Sequence, residues 1–458
     1  MRRRNGVRML MVAPAFLGLL VAPAGAQVLT ADEAVRIALE RSTQVINAEA
    51  DVLDARGGLY GAYSGVLPRV TASASRSGFW QEERIGTQVF GGFVIPTDRS
   101  DLEQYSTVPG VSGSWSILNL SSLAGLSSAR NSLKAARYQQ TAARHDVVFA
   151  TRRQFYEVVR AVRLADVTTG ALRLARDDER RVQALFEVGS VSKSDVLTAQ
   201  VRTAQGELDS LTAHQAVTNQ RILLARQLGV RATEMGAVDT VLTLGVGTYD
   251  RETLLSEAAK ARPDLVATDA AVSAAKAGLR SAQFARLPYV TVAGGVDYKP
   301  KSTFKVTTLD TNGVALPEPS VVDGRNESDL EYRASIALNL DLFTGFETES
   351  RIAAARARTL RAQEARDALH RNLAAEVDQA LLAYGEAVER AKVAQRAVDA
   401  ATENVKLVQE KYNVGSATIL ELVDAQVQRQ RVLSDQVSAL AAIRVAEAQI
   451  DRVRGRGL

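Results

Sequence analysis

The chain has 458 residues, 24% of them charged, with 56 Lys and Arg against 52 Asp and Glu, and no cysteine. The missing cysteine excludes a disulfide framework, a thiolate metal site and a lipid-accepting thiol. Four of the basic residues, Arg2, Arg3, Arg4 and Arg8, fall in the first 26 positions and no acid does, so the remainder is formally neutral and offers no basic surface for nucleic acid.

Residues 1–26 read as a secretory signal peptide. The arginines are followed by the apolar run MLMVAPAFLGLLVA and by Ala24-Gly25-Ala26, a small-x-small cleavage site before Gln27. The run is too short and interrupted for a bilayer span of roughly 20 apolar residues, and no later segment supplies one. Any membrane-crossing part of this chain must be β-structure.

Two structural repeats are expected, 27–247 and 248–458. TADEAVRIALERSTQV from Thr30 stands opposite DRETLLSEAAKARPDL from Asp250, and LPRVT from Leu67 opposite LPYVT from Leu287, both shifted by 220 residues. FEVGSVSKSDVLTAQ from Phe186 stands opposite YNVGSATILELVDAQ from Tyr412, shifted by 226. Three matched stretches in the same order indicate a duplication.

After the short helices at the start of each repeat comes a strand pair, at about 70–118 and about 289–343. Val111, Gly113, Trp115 and Ile117 alternate with serines, and Val290, Val292 and Val296 alternate with Thr291, Ala293 and Asp297. Tyr332, Ala334, Ile336, Leu338, Leu340 and Leu342 do the same, and Val70 to Trp80 more weakly. Alternation over about ten residues marks a strand with one apolar and one polar face, long enough to cross a bilayer. Trp80, Tyr105, Trp115, Tyr298 and Tyr332 near the strand ends suit a membrane interface. Long loops are expected near Ile85 to Asp101 and Thr303 to Asp329. Four strands cannot close a barrel, and lipid forbids an open edge, so two or three copies must sum their strands into one wall. The competing reading is a secreted helical scaffold with a soluble sheet, which would bury Ile336, Leu338 and Leu340 rather than expose them.

No proline occurs between Gly110 and Arg262 or between Ser320 and Leu458, and both zones are rich in helix-favouring Ala, Leu, Arg, Glu and Gln. The first holds a helix hairpin over about 122–228 and the second over about 348–453. Leu369, Leu373, Val377, Leu381, Tyr384 and Val388 fall at steps of three or four, one face of a helix. The first helix of each pair is roughly 100 Å long at 1.5 Å per residue, so it needs neighbours alongside rather than a compact core. Each turns at a Val-Gly-Ser, where Gly189 or Gly415 supplies the left-handed C-cap. The next helix opens on a capping box, Ser192 with Asp195 or Thr418 with Glu421.

Leu67-Pro68 and Leu287-Pro288 leading into strands, LDLFTGF from Leu340, and the paired VGS tips with a downstream Ala-Gln closely resemble the TolC-like outer-membrane efflux protein family. The likeness covers the whole chain beyond the signal. It implies a mainly α protein whose long antiparallel coiled-coil helices form an α-helical barrel, with four β-strands per protomer contributing to a homotrimer's 12-stranded outer-membrane barrel. It also implies a channel-tunnel of an efflux or type I secretion system, working with a periplasmic adaptor and an inner-membrane transporter and seated in outer-membrane lipid. Substrate choice among drugs, metal ions and peptides would rest with the inner-membrane partner.

By position, the family's adaptor-binding tips are Val188, Gly189 and Ser190, and Val414, Gly415 and Ser416. Its inward acids match Glu421 and Asp424. Glu421 and Asp195 have capping as a competing duty, whereas Asp424 lies three residues too late to cap and faces Thr198 in the first repeat, which makes it the best aperture candidate. Of the family's tyrosine–arginine–aspartate latch, Tyr412 and Asp195 are present, but the arginine position holds Ala417, so closure is weaker or uses Lys193 instead. His145, His214 and His370 stand far apart, no nucleophile elbow or phosphate loop occurs, and no enzyme, cofactor or metal site is expected.

Overall fold

The structure, a computed structural model, describes residues 28–82, 87–96, 100–242, 247–300, 302–308, 320–325 and 328–456. The expected signal peptide and parts of the two expected loops lie outside them. In chain order the elements are α1 (Ala31–Arg41), α2 (Thr43–Tyr63), β1 (Arg69–Glu82), β2 (Thr87–Phe90), β3 (Phe93–Pro96), β4 (Ser100–Ser116), α3 (Leu120–Glu187) and α4 (Lys193–Leu228). The second half follows with α5 (Arg251–Ala261), α6 (Pro263–Phe284), β5 (Tyr289–Lys299), β6 (Ser302–Thr308), β7 (Ser320–Arg325), β8 (Asp329–Asn339), α7 (Glu347–Asn413) and α8 (Ile419–Val453). None of these helices is long and apolar enough to cross a membrane.

The helix ends follow local chemistry. Thr30 and Asp250, the matched positions of the two repeats, are the N-caps of α1 and α5 and accept from the Glu33 and Thr253 amides at 3.3 and 2.9 Å. The breaks that follow, at Ser42 and Arg262, share one extended conformation, with φ of −65° and −67°. Asn119 caps α3 by accepting from the Ser122 amide at 3.0 Å. Beyond α4 and α8, Gly229 and Gly455 adopt φ of 67° and 74°. A Cβ there would sit 3.2 Å from Arg41 or 3.0 Å from Ala261, so each hairpin's returning end closes onto the helix break at the start of its own half.

Helices α3 and α7, of 68 and 67 residues, are the frame. Each is about 100 Å long and packs against different partners along its length. Helix α3 meets α2 and α6 on the strand side and α4 and α8 toward the tip, with α1 alongside. Of the face expected on α7, Leu373, Val377, Tyr384 and Val388 are buried, with Leu369 and Leu381 packed against them. Leu254, Ile443, Ile450 and Val453 complete that cluster, and burial of each large side chain contributes about 1.5–3 kcal/mol. Tyr384 also holds the linker into α5: its hydroxyl accepts from the Gly247 amide at 2.7 Å and donates to the Gly247 carbonyl at 3.1 Å, while its ring meets Tyr249 edge-on at 5.0 Å. A matching cluster, built on Ala34, Ala38, Val147, Phe155, Val158, Leu224 and Leu228, joins α1, α3 and α4.

The four long strands pair antiparallel in the order β1-β4-β5-β8. Strand β4, of 17 residues, runs beside β1 over its whole length and is shared on its other edge between β5 and β6. Two short hairpins, β2–β3 and β6–β7, occupy parts of the stretches expected as loops. The Gly91-Gly92 pair between β2 and β3 is a hairpin turn signal. Among the described residues, β1 pairs only with β4 and β8 only with β5, which leaves both outer edges of the long-stranded sheet without a partner.

Register places Val70, Ala72, Val111, Val292, Val296, Tyr332, Ile336 and Leu338 on one face, and Thr71, Ser73, Ser112, Ser114, Thr291 and Ser335 on the other. Among the described residues no element covers the apolar face: Ile336 and Leu338 are 75% and 72% exposed. Leu342, Phe343 and Phe346 continue it past the strands, again exposed. Trp115 donates its Nε1–H to the Val66 carbonyl at 2.7 Å, tying the α2–β1 corner to β4. Trp80, Tyr298 and Tyr332 are exposed as an interface role requires, while the side chain of Tyr105 lies outside the described set.

At the α5–α6 break, Arg262 is buried and donates to Asp264 Oδ1 at 3.0 Å and to Glu376 of α7. Burial pushes the Asp264 carboxyl up, but the Arg262 hydrogen bonds and charge outweigh it and hold the carboxyl below its ordinary value of 3.8. Folding therefore releases protons from this group. Its stabilising contribution is complete above that ordinary value and is lost as pH falls through the lower folded value. Arg262→Met is expected to destabilise the α5–α6–α7 corner by about 2 kcal/mol. The estimate sits below the range for fully buried pairs because both acids keep about a third of their side-chain surface exposed. Chemical denaturation at pH 7 checks the size, and Asp264→Asn is expected to flatten the loss of stability below pH 4.

Candidate gate and docking tip

The tip of each hairpin is built twice by the same backbone chemistry. Helix α3 ends at Val188, Gly189 takes φ of 77°, and the amides of Ser190 and Gly189 donate back to the carbonyls of Leu185 and Phe186 at 2.8 and 2.9 Å. Helix α7 ends at Val414, Gly415 takes φ of 75°, and Ser416 and Gly415 donate to Lys411 and Tyr412 at 2.9 and 3.1 Å. Both are Schellman closures, which need a residue tolerant of positive φ at the second position. The flanking Val188 and Val414 are 74% and 79% exposed.

The next two helices start on complete capping boxes. The Asp195 amide donates to Ser192 Oγ at 3.2 Å and the Ser192 amide to Asp195 Oδ2 at 3.0 Å. At the second tip, the Glu421 amide donates to Thr418 Oγ1 and the Thr418 amide to Glu421 Oε2, both at 3.3 Å. Asp195 and Glu421 are thus engaged in holding helix starts. Asp424, one turn further on, is exposed and makes no hydrogen bond or ion pair among the described residues. Its carboxylate is free to project from α8.

Between the hairpins Val182, Val196, Ala199, Ile419 and Leu422 form a small core with Phe186 and Tyr412 packed against it. Tyr412 is therefore at the junction of the two hairpins, and its hydroxyl is buried without a hydrogen-bond partner. Burial raises the Tyr412 pKa, and the nearby Asp195 and Asp178 carboxylates raise it further. Lys193 Nζ lies over the Phe186 ring, 5.4 Å from the centroid.

One junction residue was not anticipated. Asp178 of α3 is buried and its Oδ2 accepts from Gln426 Nε2 of α8 at 2.7 Å, while its Oδ1 makes no hydrogen bond and lies 3.7 Å from Arg181 Nη1. Burial pushes this carboxyl up, against the Gln426 hydrogen bond and the Arg181 charge. The repeat signature picked out Gln426, opposite the exposed Gln200, but nothing in the charged run around Asp178 marks it as the one acid turned inward.

With this geometry in view, the family model described as "Outer membrane efflux protein" matches residues 34–230 and 254–456. The Vibrio cholerae outer membrane protein TolC is 24% identical over 341 residues, covering 72% of each chain. The crystal structure of the Campylobacter jejuni CmeC outer membrane channel superposes with a TM-score of 0.77 at 17% identity, covering 93% of this chain and 86% of that one. That of VceC from Vibrio cholerae gives 0.73 at 17%, covering 93% and 96%. The chain belongs to the outer membrane efflux protein family. It is an outer-membrane channel-tunnel of an efflux system, with long helices reaching into the periplasm and strands that contribute to the membrane barrel.

At Gly189 and Gly415 an added Cβ meets nothing within 4 Å, so substitution by alanine has only backbone strain to overcome. Gly189→Ala and Gly415→Ala are each expected to weaken their closure by about 1 kcal/mol, read as faster hydrogen exchange at the Ser190 and Ser416 amides. Thr418→Ala is expected to weaken the start of α8 by about 1 kcal/mol. Asp424→Asn, which breaks no contact, should change these exchange rates by less than about 0.5 kcal/mol.

Proposed function

We propose that three copies of this chain close one twelve-stranded barrel, continue it as a helical tunnel, and present six hairpin tips to a periplasmic adaptor coupled to an inner-membrane transporter. The observation that carries this reading is the long-stranded sheet itself, with one uncovered apolar face and two unpaired outer edges. An open edge is untenable in lipid, and joining β8 of one copy to β1 of the next removes every edge at once. The exposed Ile336 and Leu338 then face outer-membrane lipid, with the opposite hydroxyl-rich face lining a water-filled lumen. The number three comes from the family resemblance; closure alone also admits two.

Each half supplies the same element order, which supports the two-repeat organisation 27–247 and 248–458 as the product of duplication. Passage is passive and no residue acts as a catalyst. Val188, Gly189, Ser190, Val414, Gly415 and Ser416 form the adaptor surface. Asp424, exposed and unengaged, forms the aperture ring, where three carboxylates in a narrow pore favour cations. Glu421 and Asp195 are fixed at helix starts and act on the aperture through α8 and α4. Tyr412, partly buried between the hairpins with an unused hydroxyl, is the closure contact, and Lys193, over the Phe186 ring of the same cluster, stands in for the absent latch arginine.

Single-channel recording in planar bilayers tests the aperture. Asp424→Ala is expected to raise closed-state conductance and lower cation preference while leaving the folded trimer intact. Conductance and selectivity equal to the parent would remove Asp424 from the aperture. Leu338→Arg tests the barrel wall: charge on the lipid face is expected to destabilise it by about 2–4 kcal/mol, read as lower folded yield in lipid vesicles. A soluble, fully folded Leu338→Arg protein would contradict the membrane assignment of this face.

A further inference from the structure

Toward the tip, helices α3, α4 and α8 enclose a cavity of about 330 Å3 that the channel reading does not use. Three guanidinium groups line it, one from each helix: Arg173, Arg202 and Arg429. The cavity also has two acids, Asp166 and Asp177, but each is engaged by another arginine. Asp166 lies 4.0 Å from Arg163, and Asp177 pairs with Arg180. Among the described residues, Arg173 and Arg429 have no ion pair, and Arg202 donates only to the uncharged Gln430 Oε1 at 2.7 Å.

The Nε atoms of Arg202 and Arg429 are both buried and make no hydrogen bond. Arginines serving as solvated spacers would keep these donors in water. Two buried N–H groups left without acceptors in one cavity are unfavourable until something supplies the acceptors. Val167, Leu174 and Leu433 complete the wall with apolar surface, which lowers the local dielectric and strengthens any charge placed between the arginines.

We propose that this cavity is a binding site for a small oxyanion, phosphate-like or carboxylate-like. The guanidinium fork matches the paired oxygens of such groups, and the positive charge of the three arginines lacks an ionic partner among the described residues. The volume lies at the small end for ligand sites, which suits an anion of a few heavy atoms rather than a drug-sized substrate. Because Arg173 and Arg202 belong to the α3–α4 hairpin and Arg429 to the α7–α8 hairpin, a bound anion ties the two hairpins together just above the tip. The inference rests on the cavity alone and stands whether or not Asp424 lines the aperture.

Isothermal titration of detergent-solubilised full-length protein with inorganic phosphate, at ionic strength held constant with chloride, tests it. The expected result is saturable binding of one phosphate per chain, weakened about tenfold or more in Arg429→Gln and in Arg173→Gln. Arg173 is exposed, so its variant carries the test if Arg429→Gln fails to fold. Absence of saturable binding by the folded parent overturns the site, as does equal affinity in the folded variants. Sulfate should compete with phosphate and chloride should not; competition by chloride at equal concentration points to general charge screening and also overturns it.

Discussion

The outer edges of β1 and β8 control how the rest of this molecule must be arranged. Their backbone N–H and C=O groups have no partner among the described residues, and a hydrocarbon layer offers no water to replace one. Pairing edge to edge with further copies resolves this, and it places the strand–helix junctions of all copies in one ring. From that ring α3 and α7 descend together, so their apolar stripes meet neighbours at every level. The exposed apolar residues of the isolated protomer are in this light surfaces with an assigned cover, lipid above and protein alongside.

The lower end has two tips of one geometry, and the two hairpins differ at a few positions around them. Gly189 and Gly415, Ser192 and Thr418, Asp195 and Glu421 repeat the same closure and the same cap. Asp424 has no acidic counterpart, since Thr198 occupies its place and donates to the Ser194 carbonyl at 2.9 Å. Gln426 is buried on Asp178 while its partner Gln200 is exposed. The fold requires both hairpins to turn, but only one to place a free carboxylate beyond its cap.

The junction between the hairpins is held by a small apolar core and weakened by polar imperfections. Asp178 keeps one oxygen unbonded, the Tyr412 hydroxyl has no acceptor, and two arginine Nε atoms are idle. Each is unfavourable in a static packing. Higher up, His145 Nδ1, Thr151 Oγ1 and Arg454 Nε are likewise buried without hydrogen-bond partners, whereas the Arg262 network satisfies its charges from both sides.

Much of the architecture was legible in the residues because it rests on local rules. Period-two alternation marked β4, β5 and β8, the stretches without proline marked α3, α4, α7 and α8, and Val-Gly-Ser with a following capping box marked each turn. The likeness to outer-membrane efflux proteins rested on the order of those same signals. The short hairpin β2–β3 was read as loop, although Gly91-Gly92 announced it. Only tertiary structure could show that Asp178 turns inward among its charged neighbours, that Lys193 braces Phe186, and that Arg173, Arg202 and Arg429 converge on one cavity. These facts depend on which side chains the packing brings together, over separations of more than two hundred residues for Asp178 with Gln426 and for Arg173 and Arg202 with Arg429. Sequence determined the lengths, turns and faces of the elements because each is set within a few residues; the packing of separate helices decided which side chains are left without partners.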